Sequence, residues 1–217
     1  LEGGHIYLYT TYAAEGLRGR KNRKEYNGRM ESDAELAARA KSGDDSAFDV
    51  LVKRHLGSVY AFLARYMGDE ARAEDATQEA FVKAWRAMKR FDETRAMRPW
   101  LFEIGRNAAN DILRRKHATP FSAFKRDDAD LGLEDTLDDP APLPPELFEQ
   151  KELGKHVAEA LATLPDRDRA VLLLRYYEEL AFEDVARIME SPLNTVKSWH
   201  RRALHKLRNR LAPYHKP

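Results

Sequence analysis

The chain has no cysteine, which excludes disulfides and thiolate metal sites and suits the reducing cytoplasm. No apolar run approaches the roughly 20 residues that span a bilayer, so membrane insertion is not expected, and no signal-peptide pattern is present. The seven histidines lack metal-ligand spacing; His200 and His205 are five positions apart and would not share a helix face. A phosphate-cradling glycine loop and a nucleophile elbow are also missing. The carboxylates fall in helix caps or in one acidic stretch, where structure alone would put them. Enzyme chemistry has no foothold, and neither a metal nor a cofactor is implied. Acid is also missing from one end of the chain. From Ser191 onward Lys197, Arg201, Arg202, Lys206, Arg208, Arg210 and Lys216 face no acidic residue, a balance of +7.

The overall formal charge of +1 hides this segregation. Between Pro120 and Glu149 nine acidic residues meet only Lys125 and Arg126, a balance of −7. The middle of the chain repels nucleic acid while its ends attract it. At 217 residues there is room for one large or two small domains, and 34% charged residues argue against a single large core.

The periodicity predicts helices throughout, and hence an all-α fold in two domains. Residues 1–29 show little periodicity and a balance of +3, from six basic and three acidic residues. Met30 directly precedes a helix start, and Arg23, Lys24 and Glu25 can be written with purine-only codons, as a ribosome-binding site would be. These residues are therefore expected to lie outside the fold, as upstream translation; the rival reading is a basic arm that assists DNA binding. Four helices are expected over residues 30–118. Asp33 caps the first and Gly43 ends it. Asp44 or Asp45 caps the second, which buries Phe48, Leu51, Val52, Val59, Phe62, Leu63 and Tyr66 and closes at Gly68. The third, 70–90, turns in Ala73, Ala76, Ala80, Phe81, Ala84, Trp85 and Met88. Pro99 opens the fourth, with Leu101, Ile104, Ala108 and Ile112 inside. Roughly 85 residues in four helices suffice to fold alone.

Residues 119–145 are acidic, aperiodic and rich in proline, and read as a linker. Fully extended, they would reach about 90 Å at roughly 3.3 Å per residue. A second helical domain is expected over 146–217. It begins with Leu153, Val157, Leu161 and Leu164, is broken at Pro165, and continues through the apolar run Val171–Leu174. Its last part has the pattern of a helix-turn-helix. Val185, Ala186, Ile188 and Met189 make a short stripe that Glu190-Ser191-Pro192 interrupts. Val196, Ala203, Leu204, Leu207 and Leu211 then recur at helical spacing beside a cationic face. Ser191 is the expected cap of that last helix, with Pro192 in its first turn.

Two surfaces can carry chemistry in the first domain. Glu74, Asp75, Gln78 and Glu79 cluster on the side of the third helix away from Phe81 and Trp85. They are either a solvated N-terminal turn that favours acids or an acidic surface for a basic partner helix. In the fourth helix and the loop before it, Arg98, Arg106, Asn107, Arg114, Arg115 and Lys116 outnumber Glu103 and Asp111. Phe91, Trp100 and Phe102 flank them. Cations with aromatics at their edge suit single-stranded DNA; the plainer reading makes Trp100 and Phe102 core.

Taken together these residues resemble a bacterial sigma factor of the extracytoplasmic-function (ECF) class, a promoter-specificity subunit of RNA polymerase. The first domain of that family is echoed by AEDATQEAFVKAW (73–85) and RPWLFEIGRNAANDILRR (98–115). The second is echoed by LPDRDRAVLLLRYYEELAFEDVARIM (164–189) and PLNTVKS (192–198). The resemblance implies that Asp75, Gln78 and Glu79 meet the β′ clamp helices of core RNA polymerase. It implies that Arg98, Arg106, Asn107, Arg114 and Arg115 serve the −10 element. For the −35 element it implies Thr195, Lys197, Ser198, Arg201, Arg202 and Lys206. The β subunit, promoter DNA and an anti-sigma factor are the further implied partners, and the cytoplasm the implied location. The acidic linker would run toward the RNA exit path, and its reach exceeds the roughly 70 Å that two helical turns of DNA span.

This chain departs from the family pattern at three places. Ala181 stands where a capping Ser or Thr is frequent, and Glu190 where Gly is usual. Trp199 and His200 replace an Arg and a Leu. His200 follows Val196 by one turn and is expected to point inward as a core imidazole, with a pH-sensitive docking site as the alternative. The rival function is an autonomous helix-turn-helix regulator, against which the whole 73–115 segment argues.

Overall fold

In a computed structural model, which describes residues 31–116 and 151–212, every regular element is helical. The extension at 1–29, the linker at 119–145, Lys216 and the side chain of Leu153 lie outside the described residues. The chain divides into two compact units between Ile112 and Leu113. Among the described residues no helix is long and apolar enough to cross a membrane.

The first helix, α1 (Asp33–Lys41), starts from a reciprocal cap. Ser32 Oγ accepts the Glu35 N–H at 3.2 Å, and the Glu35 carboxylate accepts the Ser32 N–H at 2.7 Å. Asp33, the expected cap, is displaced from that role by Ser32. Its carboxylate instead reaches α2 (Asp45–Met67), where it lies 2.7 Å from Nε2 of the buried His55 and pairs with Arg54. Asp44 caps α2 by accepting the N–H groups of Ser46 and Ala47, and Gly68 ends it at φ +65°, where a glycine carries no Cβ clash. The expected stripe of α2 is buried in full, together with His55 and Leu56.

Next, α3 (Glu70–Ala87) is capped by Asp69 and runs into a 3-10 turn at Met88–Arg90. Its inner side is lined by Ala73, Ala76, Ala80 and Ala84, small enough to let helices approach closely. Thr77 is buried among them, its hydroxyl satisfied by donating to the Ala73 carbonyl at 2.6 Å. Trp85, expected inside, lies at the edge of this stripe and is only half-buried.

The next helix, α4 (Met97–Lys116), whose last turn runs past the division at Ile112, begins two residues before Pro99, which the first turn accommodates. It buries Trp100, Leu101, Phe102, Ala108 and Ala109, while Ile104 and Ile112 are half-buried. Phe102 meets Phe62 edge-on at 5.3 Å, and Phe62 stacks on Tyr66 at 5.7 Å. The Tyr66 hydroxyl donates to Asn110 Oδ1 at 2.7 Å, giving the polar tip of a core aromatic its partner.

In the second unit, α5 (Lys151–Ala162) buries Val157, Ala160 and Leu161. After Pro165, α6 (Asp166–Leu172) continues into a widened π turn at Leu173–Tyr177, and the run Val171–Leu174 is buried as expected. The buried Arg169 donates to the Leu164 carbonyl at 3.1 Å and pairs with Asp166 at 3.0 Å, tying α6 to the end of α5. Then come α7 (Phe182–Ile188) and α8 (Leu193–Leu211), whose apolar stripe packs on α5, α6 and α7.

The link between α7 and α8 differs from the expected one. Ser191 does not cap α8: its hydroxyl donates to the Met189 carbonyl at 3.1 Å, and Pro192 holds the cap position without a side-chain bond. Ala181 likewise leaves α7 without a side-chain cap, and Ala186 is half-buried rather than buried. Glu190 is left-handed at φ +52° and Glu179 at φ +53°, each costing about 1 kcal/mol relative to a relaxed residue.

The α1–α2 contact predicts acid sensitivity. The His55 hydrogen bond, followed by Arg54, holds the Asp33 carboxyl below its ordinary value, and Ser46 and Arg39 hold Asp44 at about 2. Groups lowered on folding stabilise above the unfolded carboxylate value and lose that contribution as pH falls through the folded one. Stability should therefore drop on acidification below about pH 4. Asp33→Asn should cost about 1 kcal/mol at neutral pH, after allowance for solvent screening, and should flatten the acid limb. Denaturant unfolding at several pH values checks this; an unchanged acid limb would exclude Asp33 as a source.

Candidate nucleic-acid interface

Helix α8 divides cleanly along its length. Val196, Ala203, Leu204, Leu207 and Leu211 are buried on one side. The opposite side carries Asn194, Ser198, Arg201, Arg202 and His205, and the helix has no acidic residue. Thr195, Ser198 and Arg202 share one line along it, with Arg201 beside them. All four are half-buried. Lys197 is exposed, its ammonium 6.0 Å from the Phe182 ring.

Lys206 behaves differently from its predicted companions. Its Nζ lies 2.8 Å from Oδ2 of Asp168, a carboxylate on α6 that is 1% exposed. This gives it a protein partner where DNA backbone was expected. His200 is neither deep core nor free: it is half-buried, its ring stacked on Tyr176 at 5.8 Å and edge-on to Phe182 at 5.0 Å. The Phe182 ring also carries the Arg175 guanidinium at 4.6 Å, so the α6–α7 corner grips α8 through aromatic contacts.

In the first unit, Glu74 and Asp75 are exposed on α3, while Gln78 and Glu79 are half-buried. Glu79 pairs with Lys83 at 2.8 Å, and Lys83 also reaches Asp111 on α4 at 3.1 Å. The hydrogen bond it donates to Glu79 foremost, and then the one to Asp111, raises the Lys83 ammonium above its ordinary value. Part of the acidic face is thus tied to the neighbouring helix, and Glu74 and Asp75 are its exposed members.

The basic residues of α4 do not form one strip. Asn107 and Arg114 lie two turns apart on the side away from Leu101 and Ala108, with Arg106 and Arg115 to either side. Arg114 and Arg115 are exposed, and Arg106 and Asn107 half-buried. Arg98 sits at the start of the helix with its guanidinium 5.4 Å over the Phe102 ring.

The flanking aromatics are core. Phe91 is 3% exposed, Trp100 8% and Phe102 0%, and Phe91 packs on Trp100 at 4.7 Å. None of the three can stack on an unpaired base, which corrects that part of the sequence reading. Sequence reasoning also missed Asp168, the Lys83 bridge, and the Arg167 guanidinium 4.6 Å over Trp199. The one signal in reach was the two-turn spacing of Trp199 and Lys206 on a single side of α8.

Two family models match the chain, one toward each end. Residues 51–119 match the Sigma-70 region 2 family and residues 160–209 match Sigma-70, region 4. The RNA polymerase sigma-H factor of Pseudomonas aeruginosa is 33% identical over 185 residues, 85% of this chain and 96% of that one. The ECF RNA polymerase sigma-E factor of Escherichia coli is 32% identical over 190 residues, covering 84% and 95%. Among solved structures, CnrH in complex with the cytosolic domain of CnrY aligns with TM-score 0.61 and 30% identity, over 85% of this chain and 100% of that one. This chain therefore belongs to the ECF group of RNA polymerase sigma factors, the subunits that bind core polymerase and direct promoter recognition.

Proposed function

We propose that this sigma factor uses α3 to dock on the β′ clamp helices, α4 to serve the −10 element and α8 to read the −35 major groove. The proposed limits of its parts are 30–118, 119–145 and 146–217. The observation that carries the reading is α8 itself: its apolar stripe is buried, and its other side offers Ser198, Arg201 and Arg202 without a single acid. A helix entering the major groove reaches base edges from its N-terminal turns. Thr195, Lys197, Ser198 and Arg201 are accordingly the proposed base-reading residues. Arg202 and Arg208 lie toward phosphate, where a guanidinium holds backbone without sequence preference. Lys206 is not among them, because Asp168 engages its ammonium.

For the −10 element the proposed contacts are Arg98, Arg106, Asn107, Arg114 and Arg115, held together by charge and polar reach and not by aromatic stacking. Asp75, Gln78 and Glu79 are the proposed polymerase contacts, with the β subunit facing the second unit. An anti-sigma factor is a further proposed partner; CnrH, similar in fold, is held by another protein's cytosolic domain. The cytoplasm is the proposed location, and no catalytic activity of its own is assigned.

The reading is tested by run-off transcription. Purified chain with core polymerase should initiate at a defined subset of a promoter library, and the chain alone should bind duplex DNA weakly. Tight, sequence-specific operator binding without polymerase would favour an autonomous regulator instead.

Asp75→Lys should weaken core-polymerase capture while leaving the fold intact. It is a cleaner probe than reversal at Glu79, which would set two cations together at Lys83. Undiminished capture of polymerase by this variant removes α3 from the docking assignment.

Arg201→Ala should cost roughly 1–3 kcal/mol of promoter affinity and relax preference at one or two −35 positions. Arg208→Ala should weaken all sequences alike and reduce the salt slope by about 0.9. Binding selections at several salt concentrations separate the two; retained preference in the Arg201 variant makes that residue a phosphate contact.

A further inference from the structure

One side of α8 is occupied neither by the apolar stripe nor by the proposed reading face. There Trp199 and Lys206, about two turns apart, each meet a charged residue from the first turn of α6. The Arg167 guanidinium covers the Trp199 ring at 4.6 Å. Lys206 Nζ lies 2.8 Å from Asp168 Oδ2, and the other Asp168 oxygen lies 3.7 Å from Arg167 Nε. Trp199, Arg167, Asp168 and Lys206 thus make one continuous seam.

The seam constrains what the apolar stripe leaves loose. Burial of Val196, Ala203, Leu204 and Leu207 is strong but non-directional, so it tolerates small rolls and slides of the helix. A charge-assisted hydrogen bond and a guanidinium stacked on an indole both carry direction. The carboxylate of Asp168 is 1% exposed, so it cannot give up Lys206 for water without an uncompensated buried charge. Arg201 and Arg202 fall between the two contacts along α8, on its outer side, and Ser198 just before the first. A roll of the helix would carry Ser198 and Arg201 off the base edges together.

We propose that Trp199 and Lys206 are positioning residues: pinned by Arg167 and Asp168, they set the roll of α8, and promoter preference depends on them although they read no base. The proposal rests on α8 being the −35-reading helix.

The test uses holoenzyme reconstituted with core polymerase and selection from a library randomised over the −35 element. Lys206→Met alone strands a buried carboxylate and can unfold the unit. The decisive variants are therefore the double Asp168→Asn/Lys206→Met, which removes both charges, and Trp199→Leu, with Lys206→Arg as the conservative rescue. Both decisive variants should lose discrimination at the positions sensitive to Arg201 by about fivefold, with the salt slope unchanged. Lys206→Arg should keep the parent's preference. A stabilising contact with no positioning role would lower the thermal midpoint and leave base preference where it was.

The proposal is overturned if both decisive variants retain the parent's preference. A salt slope shallower by about 0.9 in the double variant would then make Lys206 a phosphate contact. Arg201→Ala, run in parallel, separates two failures. If it alone alters preference, the seam is inert; if it too leaves preference unchanged, Arg201 is a phosphate contact and the reading of α8 fails beyond its first turn.

Discussion

Helix α8 has to bury one side and keep the other in solvent, and the second unit is built to meet that demand. Val196, Ala203, Leu204, Leu207 and Leu211 are its buried apolar side chains, and the helix packs on α5, α6 and α7. Each fully buried aliphatic chain of this kind contributes on the order of 1.5–3 kcal/mol. Against that, a left-handed Glu190 and two uncapped helix starts cost about 1 kcal/mol apiece. Packing wins, so the turn tolerates a residue poorly suited to it and still delivers α8 in place. Because the buried stripe takes one side of the helix, the cations lie on the outer side and along the seam with α6.

The first unit solves a different problem with small residues and caps. Four alanines on α3 let it lie close to its neighbours, which leaves the acidic residues on its far side in solvent. Ser32, Asp44 and Asp69 each satisfy backbone donors at a helix start. Lys83 then links α3 to α4 through Glu79 and Asp111, so the proposed docking face and the helix proposed for the −10 element share one ion-pair cluster. Any partner that engages Glu79 acts on a residue already committed to holding two helices together.

Much of this was legible because helical periodicity is a local property. The stripe of α2 and the stripe of α8 follow from spacing alone, and both are buried as expected. The aromatics of α4 were harder. Phe91, Trp100 and Phe102 stand among arginines in the sequence, and only the packing of Phe102 on Phe62 and of Phe91 on Trp100 shows that they face inward. The caps were partly misassigned for a related reason: Ser32 and Asp33 are adjacent and both can cap, and the choice fell to His55 and Arg54 on another helix. Asp166 and Asp168 are equally alike in sequence, yet one is exposed and the other buried against Lys206.

The sequence by itself determined the all-α class, the positions of the helices, the segregation of charge and the membership of the sigma-factor family, since each is carried by spacing, composition or local motif. Tertiary structure alone decided which group each cation meets. Lys206 and Arg202 are the same kind of residue on the same helix. One meets a buried carboxylate and the other lies on the outer side. The difference arises because a long-range contact depends on what another helix brings to that spot, and no local pattern records it.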